Sequence, residues 1–184
     1  MLGFRRRSLL VFAVLLAGCG GTHAGTALAP GSGATTTATH ASRPPAGGFP
    51  GPSGTRSAVV TRNTDGDTFW LSAIGKVRLI GVDTPEVFGR TECFGRAASA
   101  FTKRVLPPGT HVRYRLGVDP RDRYGRALAY VYLADGRMFN ELLAERGYAT
   151  PMTIPPNVDY ADRFVAAARR ARDAARGLWR ACRR

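Results

Sequence analysis

Four of the chain's thirteen acidic residues, Asp65, Asp67, Asp83 and Glu86, fall within 22 positions of one another. The chain around them is strongly basic, with 27 Lys and Arg and a formal net charge of +14. Carboxylates crowded together in a positive chain need a partner. The strongest is a hard divalent cation, because calcium and magnesium take oxygen ligands. The spacing excludes an EF-hand: counted from Asn63, Thr68 falls where that loop needs glycine and Ile74 where it needs glutamate. The plainer alternative makes Asp65-Gly66-Asp67 a turn and Asp83-Thr84-Pro85-Glu86 the start of a helix.

Two arginines sharpen the choice. Arg78 lies five residues before Asp83, and Arg126 ends the segment Asp122-Arg123-Tyr124-Gly125-Arg126 just ahead of an apolar run. A cation held by carboxylates, together with two guanidiniums, suits phosphodiester hydrolysis. The positive groups stabilise charge growing on the phosphorus centre while a carboxylate accepts a proton from water.

The elements that must position these residues are short. Strand-like runs at 58–62, 68–73 and 76–82 are separated by Asp65-Gly66-Asp67 and by Ile74-Gly75, both turn-like breaks. If the third run lies beside the second, three of the acids converge. Apolar residues at spacings of three and four predict a helix over 94–106, ended by Pro107-Pro108-Gly109. Strands follow at 111–116 and 128–133, then a short helix at 138–146 closed by Gly147. A last helix at 160–176 buries Phe164, Ala167, Ala168, Ala171 and Ala175, and Gly177-Leu178-Trp179 offers an apolar anchor. Five short strands with a helix between the third and fourth match an α+β domain built on an OB-fold five-stranded β-barrel with three α-helices.

Ahead of this domain the composition changes twice. Residues 1–18 read as a lipoprotein signal peptide, with Arg5, Arg6 and Arg7 followed by an apolar stretch from 8 to 18, too short for a membrane-spanning helix. Leu16-Ala17-Gly18-Cys19 resembles a lipobox, which predicts lipidation at Cys19, a membrane anchor and an extracytoplasmic location. Arg6-Arg7-Ser8-Leu9-Leu10 also fits a loose twin-arginine pattern, so two export routes remain open. Residues 19–55 read as a disordered tether: 31 of the 36 residues after Cys19 are Gly, Ala, Ser, Thr or Pro. Three arginines fall in the leader and one in the tether, leaving 23 basic against 13 acidic residues over 56–184, a net of +10. Such a domain attracts polyanions, whether nucleic acid, anionic lipid or acidic polymer. The three cysteines, Cys19, Cys93 and Cys182, contain no CxxC pair and give no zinc-site spacing. Two of the three histidines lie in the tether, so histidine chemistry has no constellation here.

Asp65-Gly66-Asp67-Thr68, Arg78-Leu79-Ile80-Gly81-Val82-Asp83-Thr84-Pro85-Glu86 and Arg123-Tyr124-Gly125-Arg126-Ala127-Leu128-Ala129-Tyr130 closely resemble the staphylococcal nuclease (thermonuclease) signature, in the family's order. The resemblance spans about 57–180. It implies Ca2+ held by Asp67, Asp83 and the main-chain oxygen of Thr84, with Asp65 nearby in a tuning role. It implies Glu86 as general base, Arg78 and Arg126 on the scissile phosphate, and Arg123 and Tyr124 on a terminal phosphate. The implied reaction cuts DNA or RNA, single-stranded or frayed, at the 5′ P–O bond and leaves 3′-phosphates. One departure stands out: Met152-Thr153-Ile154 precedes Pro156-Asn157 where the family's best-known member has two tyrosines against base and sugar. Family members carrying the cysteine pair suggest a Cys93–Cys182 bridge, and the alternative is two free thiols. Nothing in the sequence requires more than a monomer. The competing functional class is a non-catalytic OB-fold surface lipoprotein that binds nucleic acid, and a cationic lipoprotein for acidic wall polymer is a third.

Overall fold

The computed structural model describes residues 52–182. The expected signal peptide, Cys19 and most of the tether lie outside them. Pro52 to Thr55 form a turn, and the Arg113 guanidinium donates to both the hydroxyl and the carbonyl of Thr55 at 2.7 Å.

Seven strands form: β1 (Arg56–Asn63), β2 (Thr68–Leu71), β3 (Gly75–Leu79), β4 (Gly81–Asp83), β5 (His111–Arg121), β6 (Ala127–Tyr132) and β7 (Thr150–Met152). Five of them close a barrel in the order β1-β2-β3-β6-β5, with β3 and β6 parallel and the other pairs antiparallel. Residues of alternating parity fill it, including Val60, Phe69, Leu71, Val77, Leu79, Val112 and Ala129, all buried. A register shift in β1 between Val60 and Arg62 lets that strand bend between its two neighbours. The helices are α1 (Gly95–Val105), α2 (Phe139–Glu145), α3 (Ala161–Asp173) and the single turn α4 (Leu178–Ala181). This is the α+β barrel the sequence predicts, with three full helices.

The differences from the expected elements have local causes. The run 76–82 is two strands, because Gly81 takes φ +80° and a Cβ there would lie 2.2 Å from the Phe164 ring. Only glycine meets both conditions. The break turns Gly81–Asp83 away from the barrel to pair with β7, a three-residue strand containing Pro151 that the sequence does not predict. The last helix stops at Asp173, and the apolar anchor becomes α4, where the Leu178 amide donates to the Gly147 carbonyl at 2.8 Å.

The turn from β3 to β4 is held from the far side of the sheet by one buried side chain. Asn140, at the start of α2 and fully buried, accepts from the Val131 amide at 2.9 Å. It donates to the carbonyls of Ile80 and Ala129 at 2.9 and 3.2 Å. It thus substitutes for ladder bonds that β3 loses on leaving the barrel. Asn140→Ala strands these groups in an apolar surround, and urea unfolding is expected to show a loss of about 3 kcal/mol.

Candidate active site

The β1–β2 turn brings Asp65, Gly66 and Asp67 to one end of the barrel. The amides of Thr64 and Asp65 both donate to the Thr68 carbonyl, at 3.0 and 2.8 Å. Gly66 lies so close to Thr84 that a Cβ there would fall 2.7 Å from the threonine hydroxyl. On its other side the Thr102 hydroxyl of α1 donates to the Gly66 carbonyl. The turn is therefore wedged between α1 and the strand that delivers the remaining acids.

Asp67 is buried, and both of its oxygens take protein partners. Its Oδ2 accepts from the amide and the hydroxyl of Thr84, at 2.8 and 2.9 Å. Its Oδ1 accepts from the Thr68 hydroxyl at 3.0 Å and faces Arg78 Nε at 3.2 Å. Arg78 is buried too and reaches outward from there. One Nη donates to the carbonyls of Leu79 and Val82, each at 2.7 Å, and the other pairs with Asp83 Oδ1 at 2.6 Å. One guanidinium thus binds two carboxylates from different strands and caps the β3–β4 corner between them.

Asp65, which is buried, and Glu86, which is exposed, neighbour each other in the cluster. Burial holds Asp65 above the usual carboxylate range, and Asp67 and Glu86 lie beside it. Burial and then the neighbouring Asp65 push Glu86 up as well. Asp83 is raised by burial and by Asp67 and Glu92, against the pull of Arg78. Four acids facing a single arginine leave an excess of negative charge, and all the donors are oxygens. That donor set fits a hard divalent cation. Among the described residues no three His, Cys, Asp or Glu side chains are disposed to hold a metal by themselves. The expected set asks for only two carboxylates and the Thr84 carbonyl.

Arg126 arrives from the β5–β6 hairpin. Asp122 organises that hairpin: it accepts from the amides of Tyr124 and Arg126 at 2.9 and 3.0 Å and from Arg126 Nε at 2.6 Å. Burial opposes the charge on Asp122, yet the bonds from Arg126 and Tyr124 hold its carboxyl below the usual range. Asp122 thus fixes the direction of Arg126, a role its place in the sequence motif does not reveal. The exposed Tyr124 ring lies between Arg123, whose Nη donates to the tyrosine hydroxyl at 2.7 Å, and Arg126.

Arg78, Asp83, Glu86, Arg123, Tyr124 and Arg126 all line one cleft of about 680 Å³. Asp65, Asp67 and Thr84 lie behind it, joined through Glu86 and Arg78. Met152, Ile154 and Pro155 also line the cleft, and Tyr124 supplies the aromatic ring. Asn157 closes the wall by exchanging hydrogen bonds with the main chain of Asp119, at 3.0 and 2.9 Å. The remaining expected pair is joined: Cys93 and Cys182 form a disulfide.

The crowding of the carboxyls has a cost in stability. Asp65 titrates higher in the folded chain than its ordinary value, so its stabilising contribution is complete at low pH. That contribution disappears as pH rises through the folded value. Asp65→Asn keeps an acceptor for the Gly66 amide while removing the charge. In chelator at pH 8 its Tm is expected to rise by roughly 2–5 °C. The gain should vanish in melts at a pH low enough to protonate Asp65.

Residues 76–181 match the family described as "Staphylococcal nuclease homologue", a span that contains Arg78, Asp83, Glu86 and Arg126. The chain is 43% identical over 131 residues to the thermonuclease of Staphylococcus intermedius, covering 67% of this chain and 76% of that protein. It is 41% identical over 128 residues to the thermonuclease of Staphylococcus hyicus, covering 65% and 73% respectively. Endonuclease YncB of Bacillus subtilis is 34% identical over 131 residues, covering 67% of this chain and 61% of that protein. A five-stranded barrel with acids and arginines converging at one end, and relatives at this level of identity, place the chain in the staphylococcal nuclease family.

Proposed function

We propose that this chain is a calcium-dependent nuclease that hydrolyses DNA or RNA at the 5′ P–O bond and leaves 3′-phosphates. The observation that carries the reading is the convergence of Arg78, Asp83, Glu86 and Arg126 on one cleft, with Asp67 bound behind them. Asp67, Asp83 and the Thr84 carbonyl would hold the cation, which supplies positive charge against the phosphate and lowers the barrier to its negatively charged transition state.

The protein's own groups do the rest. Glu86 takes a proton from the attacking water as the new O–P bond forms and the bond to the 5′ oxygen breaks. The departing 5′ oxygen takes a proton from solvent water, Glu86 later returns its own proton to solvent, and the phosphate stays on the 3′ side. Partial burial of its carboxyl, and then proximity to other acids, suit Glu86 to this role, because a raised pKa makes it a better proton acceptor near neutrality. Arg78 and Arg126 face the phosphate with guanidiniums aimed in advance by Asp67, Asp83 and Asp122, so little reorganisation is needed as charge develops. Arg123 and Tyr124 offer a second phosphate contact. The wall of Met152, Ile154 and Pro155 gives the adjoining base a flexible apolar surface rather than a stacked ring, which favours tolerance of base identity.

The same proposal places the enzyme outside the cytoplasm, tethered to the membrane through a lipid on Cys19. The Cys93–Cys182 disulfide supports an oxidising compartment. Cys19→Ser is expected to move activity from the membrane fraction of the producing cells to the medium, or into unprocessed precursor. A variant still labelled by a lipid analogue and still sedimenting with membranes would contradict the anchor.

For the chemistry, denatured DNA is incubated with the purified chain in calcium, then in excess chelator. Hydrolysis is expected only with calcium, and Glu86→Gln should lower kcat by about a hundredfold or more. Tight binding of DNA without cleavage in calcium would leave the non-catalytic binding module as the correct reading. Cleavage that persists in chelator would overturn the cation assignment.

A further inference from the structure

Glu86 is exposed, and the segment that follows it, 87–91, is largely exposed as well, with Phe88 standing 62% open to solvent. A catalytic base in such a place needs a fixed backbone. The fixing comes from one residue six positions on. Glu92 accepts the Glu86 amide proton on its carboxylate at 3.0 Å, and its own amide donates to the Glu86 carbonyl at 2.9 Å. The Glu92 carbonyl in turn accepts from the amide of Gly95, the first residue of α1, at 3.1 Å. Gly95 presses against the same peptide: a Cβ there would lie 2.4 Å from the Glu86 carbonyl oxygen.

The residues after Glu92 carry the hold into the body of the domain. Cys93 is bonded to Cys182, which directly follows α4, and α4 is tied to the Gly147 carbonyl through the Leu178 amide. Phe94 takes a left-handed backbone at φ 70° and lays its ring on Tyr148, 5.4 Å between centroids. Glu92 is therefore bolted on its C-terminal side, while the loop on its N-terminal side has little to hold it.

We infer that Glu92 is a positioning residue for Glu86, and that the Cys93–Cys182 disulfide is its anchor. The inference rests on the reading of Glu86 as general base. Glu92 need not touch substrate or cation. It holds both main-chain polar groups of one residue, the amide and the carbonyl of Glu86, so the Glu86 side chain projects from a defined point toward the attacking water. Displacement of such a group by about 1 Å costs on the order of a hundredfold in rate. The hold uses acceptor geometry and not charge. A glutamine at 92 preserves it, whereas a negative charge beside Asp83 only adds to the repulsion already there.

The test uses the full chain with its disulfide intact and denatured DNA at saturating calcium. Glu92→Ala should lower kcat about 10- to 100-fold with KM changed less than about twofold, and should speed amide exchange at Glu86. Glu92→Gln should restore kcat to within about threefold, at the same calcium midpoint. Replacing both Cys93 and Cys182 by serine should lower kcat in the same way, and adding Glu92→Ala to that protein should lower it little further. Glu92→Ala with unchanged kcat, beside a Glu86→Gln protein that has lost activity, would overturn the positioning role and leave the base assignment standing. A fully active Glu86→Gln protein would overturn both. Loss of activity in Glu92→Gln with a weakened calcium midpoint would make Glu92 part of the cation site instead. Additive losses from the disulfide and Glu92 changes would remove the anchor from the proposal.

Discussion

A buried guanidinium between two carboxylates is the interaction on which the rest of this structure depends. Arg78 meets Asp67 from the β1–β2 turn and Asp83 from β4, and the same side chain ties the carbonyls of Leu79 and Val82 across the corner. Taking a charge out of water is expensive unless it is paired and hydrogen-bonded, and Arg78 meets both conditions. Truncating it would leave two acids facing each other with no nearby positive charge, beside a strand corner with unpaired carbonyls. Fold and site are therefore coupled through this residue. The bend that puts Asp83 and Glu86 at the cleft is held in part by the arginine that serves the cleft.

Around that pair the protein accepts repulsion. Burial first, and then neighbouring carboxyls, hold Asp65, Asp83 and Glu86 above the usual carboxylate range, and only part of their charge is offset locally. The surrounding structure resists their separation with uncharged devices. Thr84 clasps Asp67 through its amide and hydroxyl, Gly66 allows the turn to approach Thr84, Thr102 ties the turn to α1, and Asn140 holds the corner from behind. Like charges gathered in this way cost stability at the place where the proposed chemistry needs them, which is the usual relation between stability and function.

The sequence displayed some of this and concealed the rest, for identifiable reasons. Alternating apolar residues and turn glycines announced the barrel strands, and the helical periods located α1 and α2 to within a residue or so. The acid cluster was legible because acids are scarce in a basic chain. The split of 76–82 was not, since Gly81 reads as an ordinary strand residue until Phe164 is seen beside it. Strand β7, three residues with a proline, carries no period at all. Asn140, Asp122 and Glu92 act by bonding main-chain groups, and three of those links span between 6 and 60 positions. No spacing rule advertises a side chain whose partner is a main-chain amide or carbonyl elsewhere in the fold. Arg123 and Tyr124 came from the family motif, and only the structure puts them on the same cleft as Glu86.

The central claim is that this cleft cuts the 5′ P–O bond of a polynucleotide using the acids and arginines gathered at the barrel end. Its most direct test is the chemistry of the ends produced. An internally labelled single-stranded oligonucleotide is digested in calcium, and the fragments are resolved by mass. Fragments with 3′-phosphate and 5′-hydroxyl termini are expected. Fragments with 5′-phosphate and 3′-hydroxyl termini would contradict it, because the attacking water and the leaving oxygen would then have exchanged sides across the phosphate.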